Sequence, residues 1–229
     1  MICSSILEAV GHTPLVRLNR MVAPDMAEVL VKFEALNVGG SIKTRTAYNM
    51  IRDAEARGLI KPDSVIVEPT SGNQGIGLAL VGAVRGYRTV IVMPDSVSEE
   101  RRKLVQQYGA EVVLVHDAGN IGDAIAECSA IAQRMAKENP KVYVPEQFSN
   151  PANPAAHRHG TALEIMEQAA KPIHGFCSGV GRAERSAESE RSSRRRIRRS
   201  RYGLSSRRMR RSSPAERSAR ICRWASATA

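Results

Sequence analysis

Lys43 closes the run Asn37-Val38-Gly39-Gly40-Ser41-Ile42-Lys43 and opens a helix-forming segment that continues through Thr44 and Arg45. A lysine in the first turn of a helix sets its charge against the positive end of the helix dipole, which favours the neutral amine. A neutral amine is the nucleophile that Schiff-base chemistry with a carbonyl compound requires. The same lysine reads equally well as a solvated surface residue, and the local sequence leaves both readings open.

A second run, Glu68-Pro69-Thr70-Ser71-Gly72-Asn73-Gln74-Gly75, leaves an apolar segment and starts another helix. Free backbone N–H groups and small hydroxyls converge at such a point and suit a carboxylate or a phosphate. The plainer alternative is that Ser71 or Thr70 simply caps the helix. Gly72, Gly75 and Gly77 loosely imitate a dinucleotide fingerprint. Their spacing is not G-x-G-x-x-G and no acidic residue ends the next apolar run, so a nicotinamide cofactor is not expected. His157 and His159, two residues apart, point to different sides of a helix and do not form a metal site. Cys3, Cys128, Cys177 and Cys222 lack C-x-x-C spacing, which argues against a disulfide framework or a zinc site and for a reduced cytoplasmic setting. Cys177 is expected to pack in the core.

Around these runs, short β-branched segments alternate with helix-length ones. Strands are predicted at 28–33, 64–68, 89–93, 111–115, 142–144 and 173–177. Helices are predicted at 43–57, 73–85, 98–108, 121–137 and 156–169. Ser98 begins an imperfect capping box, with acids at Glu99 and Glu100 but Arg101 in the third position. Strands that are apolar throughout and separated by helices indicate an α/β fold, a parallel sheet covered on both faces. Ligands in such sheets sit at the carboxyl ends of strands. Three places qualify: 39–43, 70–75 and 178–181.

Composition narrows the classes further. The 229 residues carry a formal charge of +11, but the part through Gly181 nets −1 and the remaining 48 residues net +12. Those 48 hold 16 Arg, no Lys and 11 Ser, with too few bulky apolar residues to build a core, so the tail is expected to be disordered. No stretch approaches the roughly 20 apolar residues of a membrane span. The first ten residues carry Glu8 and no basic region, unlike a secretory signal. Aromatic residues are 4%, which argues against stacking platforms for single-stranded nucleic acid.

Taken in order, Gly11-His12-Thr13-Pro14-Leu15-Val16-Arg17-Leu18, the Gly-Gly-Ser-Ile-Lys run ending at Lys43, the run from Glu68 to Asn73, Met93-Pro94 with Glu100-Arg101-Arg102-Lys103-Leu104, and Gln147-Phe148-Ser149-Asn150-Pro151-Ala152-Asn153-Pro154 resemble the cysteine synthase family. These are fold-type-II enzymes that use pyridoxal 5′-phosphate. The resemblance covers residues 6–181. It implies that Lys43 bonds to the cofactor and later takes the Cα proton, and that Asn73 hydrogen-bonds the cofactor's ring hydroxyl. It also implies that Thr70, Ser71, Gly72 and Gln74, with Gln147, grip the substrate carboxylate, and that Gly179 and Gly181 belong to the phosphate loop. The implied reaction is a β-replacement that makes L-cysteine from an O-acylated serine and sulfide, in a cytoplasmic homodimer. The implied domains are 1–39 as the start of a large domain, 40–144 as a smaller one, and 145–181 as the return to the first. The family usually carries Pro, Asp and Thr where this chain has Val38, Thr44 and Gln74, and the last of these touches the substrate loop.

After Gly181 the family continues with a Gly/Thr phosphate loop, whereas this chain gives Arg182-Ala183-Glu184-Arg185-Ser186. Such a change of composition at one residue is what a G+C-rich gene gives when read out of frame. With suitable codons and one base borrowed from Gly181, the tail rereads as TGGTLSGIGAVLKA, which restores the loop. On this reading 182–229 is an out-of-frame tail, and the chain lacks the phosphate loop and second half that activity needs. The alternative is an Arg/Ser-rich segment that binds RNA or another polyanion through salt-sensitive contacts.

Overall fold

The computed structural model describes residues 2–178, in two compact units. One unit holds the chain up to Gly11 together with Asn37–Ala156, and the other holds His12–Leu36 and the chain from His157 onward.

The larger unit is built on a four-stranded parallel sheet. Its strands are β3 (Val65–Pro69), β4 (Arg88–Pro94), β5 (Glu111–Val115) and β6 (Val142–Tyr143), in the order β5-β4-β3-β6. Ile66 and Val67 of β3 and Ile91 and Val92 of β4 have no solvent exposure. Their alternation explains why these strands read as continuous apolar runs. Ile66, Ile91 and Met93 join one core with Ala47 and Ile51 of α1 (Lys43–Ala56), Leu78 and Val81 of α2 (Asn73–Arg85) and Val105 of α3 (Glu99–Gln107). Val65, Val67, Val90 and Val92 face the other way, onto Cys128 and Ala132 of α4 (Ile121–Glu138). Each buried Val or Ile contributes about 1.5–3 kcal/mol as an upper bound, so the two faces together hold the α/β architecture. Burial also pushes the Cys128 thiol up to about 11, which leaves it a packing residue. Gly86, at φ +80°, ends α2 in a left-handed turn whose N–H reaches Gly82 O.

The smaller unit pairs β1 (Leu15–Arg17) with β2 (Leu30–Lys32) antiparallel. Lys32 is buried, and its Nζ donates to Thr13 O at 2.6 Å and Gln168 Oε1 at 2.9 Å while pairing with Glu164 Oε2 at 2.6 Å. Three acceptors satisfy all three ammonium hydrogens, so this buried charge pins β2 to α6 (Ala162–Gln168).

Several expectations need correction. The strand predicted at 28–33 contracts to β2, and its partner β1 has no counterpart among the predicted elements. The helix predicted at 156–169 is divided. A short α5 (Ala152–Ala156) carries Pro154 within its first turn, a π-helical turn follows at His157–Thr161, and α6 comes after it. Residues 173–177 form no strand, because no ladder partner faces them among the described residues, and Cys177 is half-exposed rather than core. Ser98 stands before α3 without a side-chain cap bond.

Candidate active site

Strand order decides where a ligand can sit. From β3 the chain runs to β4 and β5 on one side, and β6 returns on the other, so the order reverses between β3 and β6. A crevice opens outside the carboxyl ends of strands at such a reversal. Thr70–Gln74 leaves β3 there and 145–150 follows β6.

Lys43 begins α1 after Gly39 and Gly40, at φ +78° and +75°. A Cβ on Gly39 would come within 2.5 Å of Thr44 Oγ1, so the turn can fold onto the first turn of α1 only with glycine there. The Lys43 N–H donates to Ser41 Oγ at 3.3 Å. Burial lowers the Lys43 amine to about 8. The cause is loss of hydration, whereas the sequence pointed to the helix dipole.

Helix α2 brings the second run against this lysine. A Cβ on Gly77 would lie 3.0 Å from Lys43 O and 3.0 Å from Ala47 Cβ, which measures how closely the two helix starts approach. Thr46 Oγ1 lies 2.9 Å from Lys43 O and 2.8 Å from Gln74 Oε1, so it links the two first turns. Gln74 is buried by this contact, and its Nε2 has no partner among the described residues. The N-cap of α2 is Gly72, with no side-chain cap bond and no acid in the first turn. Capping by Thr70 or Ser71 is therefore corrected. Thr70 Oγ1 instead accepts the Gly72 N–H at 3.2 Å, and Ser71 O accepts Arg101 Nη1 at 3.2 Å. Asn73 is exposed. Gln147 is buried. Its N–H donates to Glu68 Oε1 at 3.2 Å, and its carbonyl accepts Asn153 Nδ2 at 2.6 Å.

Lys43, Thr70, Ser71, Gly72, Asn73, Gln74 and Gln147 thus lie in the same unit. Gly179, Gly181 and the whole Arg/Ser-rich tail, with the readings attached to them, lie outside the described residues. Thr46, Glu68, Arg101 and Asn153 were not singled out as site residues from the sequence. Glu68, Arg101 and Asn153 lie within the runs that carry the family resemblance, whereas Thr46 left no signal. Among the described residues no three His, Cys, Asp or Glu side chains group as metal ligands, and no helix is long and apolar enough to cross a membrane.

The sequence pattern of pyridoxal-phosphate dependent enzymes matches residues 6–187. The chain belongs to that family. It is 46% identical over 183 residues to a probable cysteine synthase of Bacillus subtilis, covering 79% of this chain and 58% of that protein. Among solved structures, O-ureido-L-serine synthase matches with a TM-score of 0.75 and 42% identity, covering 86% of this chain and 62% of that one. A hydrogen sulfide-producing enzyme of Fusobacterium nucleatum matches with a TM-score of 0.73 and 41% identity, covering 79% and 58%. The chain therefore spans less than two thirds of the length of these relatives, and the similarity is to fold-type-II enzymes of the cysteine synthase kind.

The residues present fit the cofactor of this family. A half-buried lysine of lowered basicity starts α1, whose backbone packs against α2, a helix with a glycine cap and no acid in its first turn. An amine for the aldehyde, hydroxyls and amides for the polar substituents, and no carboxylate in either first turn suit an anionic carbonyl compound.

The lowered basicity has a measurable consequence. With the folded amine near 8 and an ordinary lysine at 10.5, the unfolded state binds more protons between those values. Stability contributed by this site therefore rises with pH from about 8 to 10.5. At pH 7.5 Lys43 should acylate about tenfold faster than an ordinary solvent-exposed lysine, because its larger neutral fraction outweighs its lower intrinsic nucleophilicity. Peptide mapping after brief labelling reads the ratio, and equal labelling would contradict the buried amine.

Proposed function

We propose that this chain carries part of the β-replacement site that in the intact family converts an O-acylated serine and sulfide into L-cysteine with pyridoxal 5′-phosphate, and that the chain as written does not complete the reaction. The observation that supports the reading is the close approach of the two helix starts, where the Lys43 backbone packs against α2 and Thr46 bonds to Gln74 of the Thr70–Gln74 loop. When bound, the cofactor supplies an electron sink for charge developing at the substrate Cα.

In this reading Lys43 holds the cofactor covalently, and its freed amine then takes the proton from Cα. With pKa near 8 the amine can accept that proton near neutral pH and release it again. Asn73 donates to the cofactor's ring hydroxyl. The hydroxyls of Thr70 and Ser71 and the backbone of Gly72 and Gln74 bind the amino-acid carboxylate, with Gln147 on the opposite side of the crevice. The acyloxy group leaves Cβ as a carboxylate and sulfide bonds to the same carbon. Gly179 and Gly181 hold the cofactor phosphate. Residues 40–144, which lie in the larger unit of this chain, correspond to the smaller domain of the intact family between 1–39 and 145–181, and the intact protein works as a cytoplasmic homodimer.

The test is covalent capture. Incubation of the full chain with pyridoxal phosphate, followed by borohydride and peptide mapping, should place the label on Lys43. Cysteine formation from O-acetylserine and sulfide is assayed in parallel. Label spread evenly over surface lysines would overturn the assignment of this site.

A further inference from the structure

Glu68 is a carboxylate with 1% of its surface exposed, at the end of a strand whose other inward residues are apolar. It makes no ion pair among the described residues. Its two oxygens accept consecutive backbone N–H groups from the segment after β6: Oε2 from Glu146 at 3.1 Å and Oε1 from Gln147 at 3.2 Å. Glu146 is held at φ +54°, a left-handed conformation that a non-glycine residue adopts only under constraint. Asn153 Nδ2 holds the Gln147 carbonyl from the other side at 2.6 Å.

We propose that Glu68 is the positioning residue that holds Gln147 at the crevice beside the Thr70–Gln74 loop. This rests on the reading of Gln147 as a substrate contact and adds the residue that makes the contact possible. An ionised carboxylate accepts at both oxygens, so it alone can receive two successive N–H groups and lock the left-handed turn between them. An amide of the same shape offers one acceptor and sets an NH₂ against the other N–H. The arrangement is costly to the fold. Burial raises the Glu68 carboxyl to about 7, above its usual 4.5, so its charged form weakens the folded state as pH rises through that range. The ionisable groups facing it are Glu146, whose own carboxylate is held by Gln133 Nε2 at 2.9 Å and Ser149 Oγ at 3.0 Å, and the Tyr143 phenol of β6. From β4 the register sets Ile91 opposite.

Positioning and mere structural support make opposite demands on Glu68→Gln at pH 8. If Glu68 positions the loop at the expense of stability, the variant keeps or raises the melting temperature of the full chain. At the same time the amides of Glu146 and Gln147 exchange hydrogen about tenfold faster or more, with β4 amides unchanged. A structural role would lower the melting temperature and loosen all these amides together, and that result overturns the proposal. So does unchanged exchange at 146 and 147. Should the variant fail to fold, the wild-type chain decides: amides 146 and 147 exchanging as fast as exposed loop amides would overturn the clamp. Capture of pyridoxal phosphate at Lys43 is measured on the same samples. Its loss in the wild-type chain counts against the enzymatic reading, while the exchange data still judge Glu68.

Discussion

Lys43→Ala is expected to remove covalent capture of pyridoxal phosphate, by roughly 10³-fold or to background, while the chain stays folded. Loss of a nucleophile is not compensated by neighbouring groups, and effects of this order follow its removal. The fold should tolerate the change, because Ala is the best helix former. The sign of the stability change depends on pH. Below pH 8 the wild-type amine is held charged in a site that disfavours the charge, so the alanine variant should melt no lower at pH 7 than the wild type. Borohydride labelling and thermal melts at pH 7 measure both effects. Persistent labelling of one specific lysine in the variant would place the cofactor amine elsewhere.

The second large effect is expected at Gly77. By helix propensity alone, Gly77→Ala inside α2 should stabilise by about 1 kcal/mol. Packing reverses the sign. The new Cβ would meet Lys43 O at 3.0 Å, Lys43 C at 3.1 Å and Ala47 Cβ at 3.0 Å. Two of these atoms are backbone and the third is a Cβ, so no side-chain rotation relieves the contact. Relief requires the start of α1 to move away from α2. Overpacking of this kind costs about 1–3 kcal/mol, which outweighs the propensity gain. The displaced start carries Lys43, and the Thr46 link to Gln74 stretches with it. A net loss of up to about 2 kcal/mol in urea unfolding is therefore expected, together with about tenfold slower labelling of Lys43. Gly77→Ala that melts higher and labels normally would show that the helices have room to separate.

What could be read without coordinates was whatever short-range pattern writes into the chain. The strand β5 and the helix α2 fall where the alternation of apolar runs and glycines puts them, because β-branched residues, Gly86 and the capless Gly72 act over a few residues. Lys43 and the Thr70–Gln74 loop were legible for a related reason. The residue types they need are contiguous, and their order along the chain carries the family resemblance.

The rest depended on contacts that no local pattern encodes. The register that seats β6 beside β3 brings Gln147 to a carboxylate 79 positions away, and nothing near either residue announces the pair. The segment 173–177 has strand composition but forms no strand, since a strand exists only with a partner to complete its hydrogen bonds. The helix predicted at 156–169 is interrupted by a π-helical turn at His157–Thr161. For Lys43 the sequence pointed to a lowered amine through the helix dipole, and the structure adds burial as a cause. A helix start can be inferred from the residues around it, whereas the loss of water that lowers the amine to about 8 depends on what the completed fold packs over it.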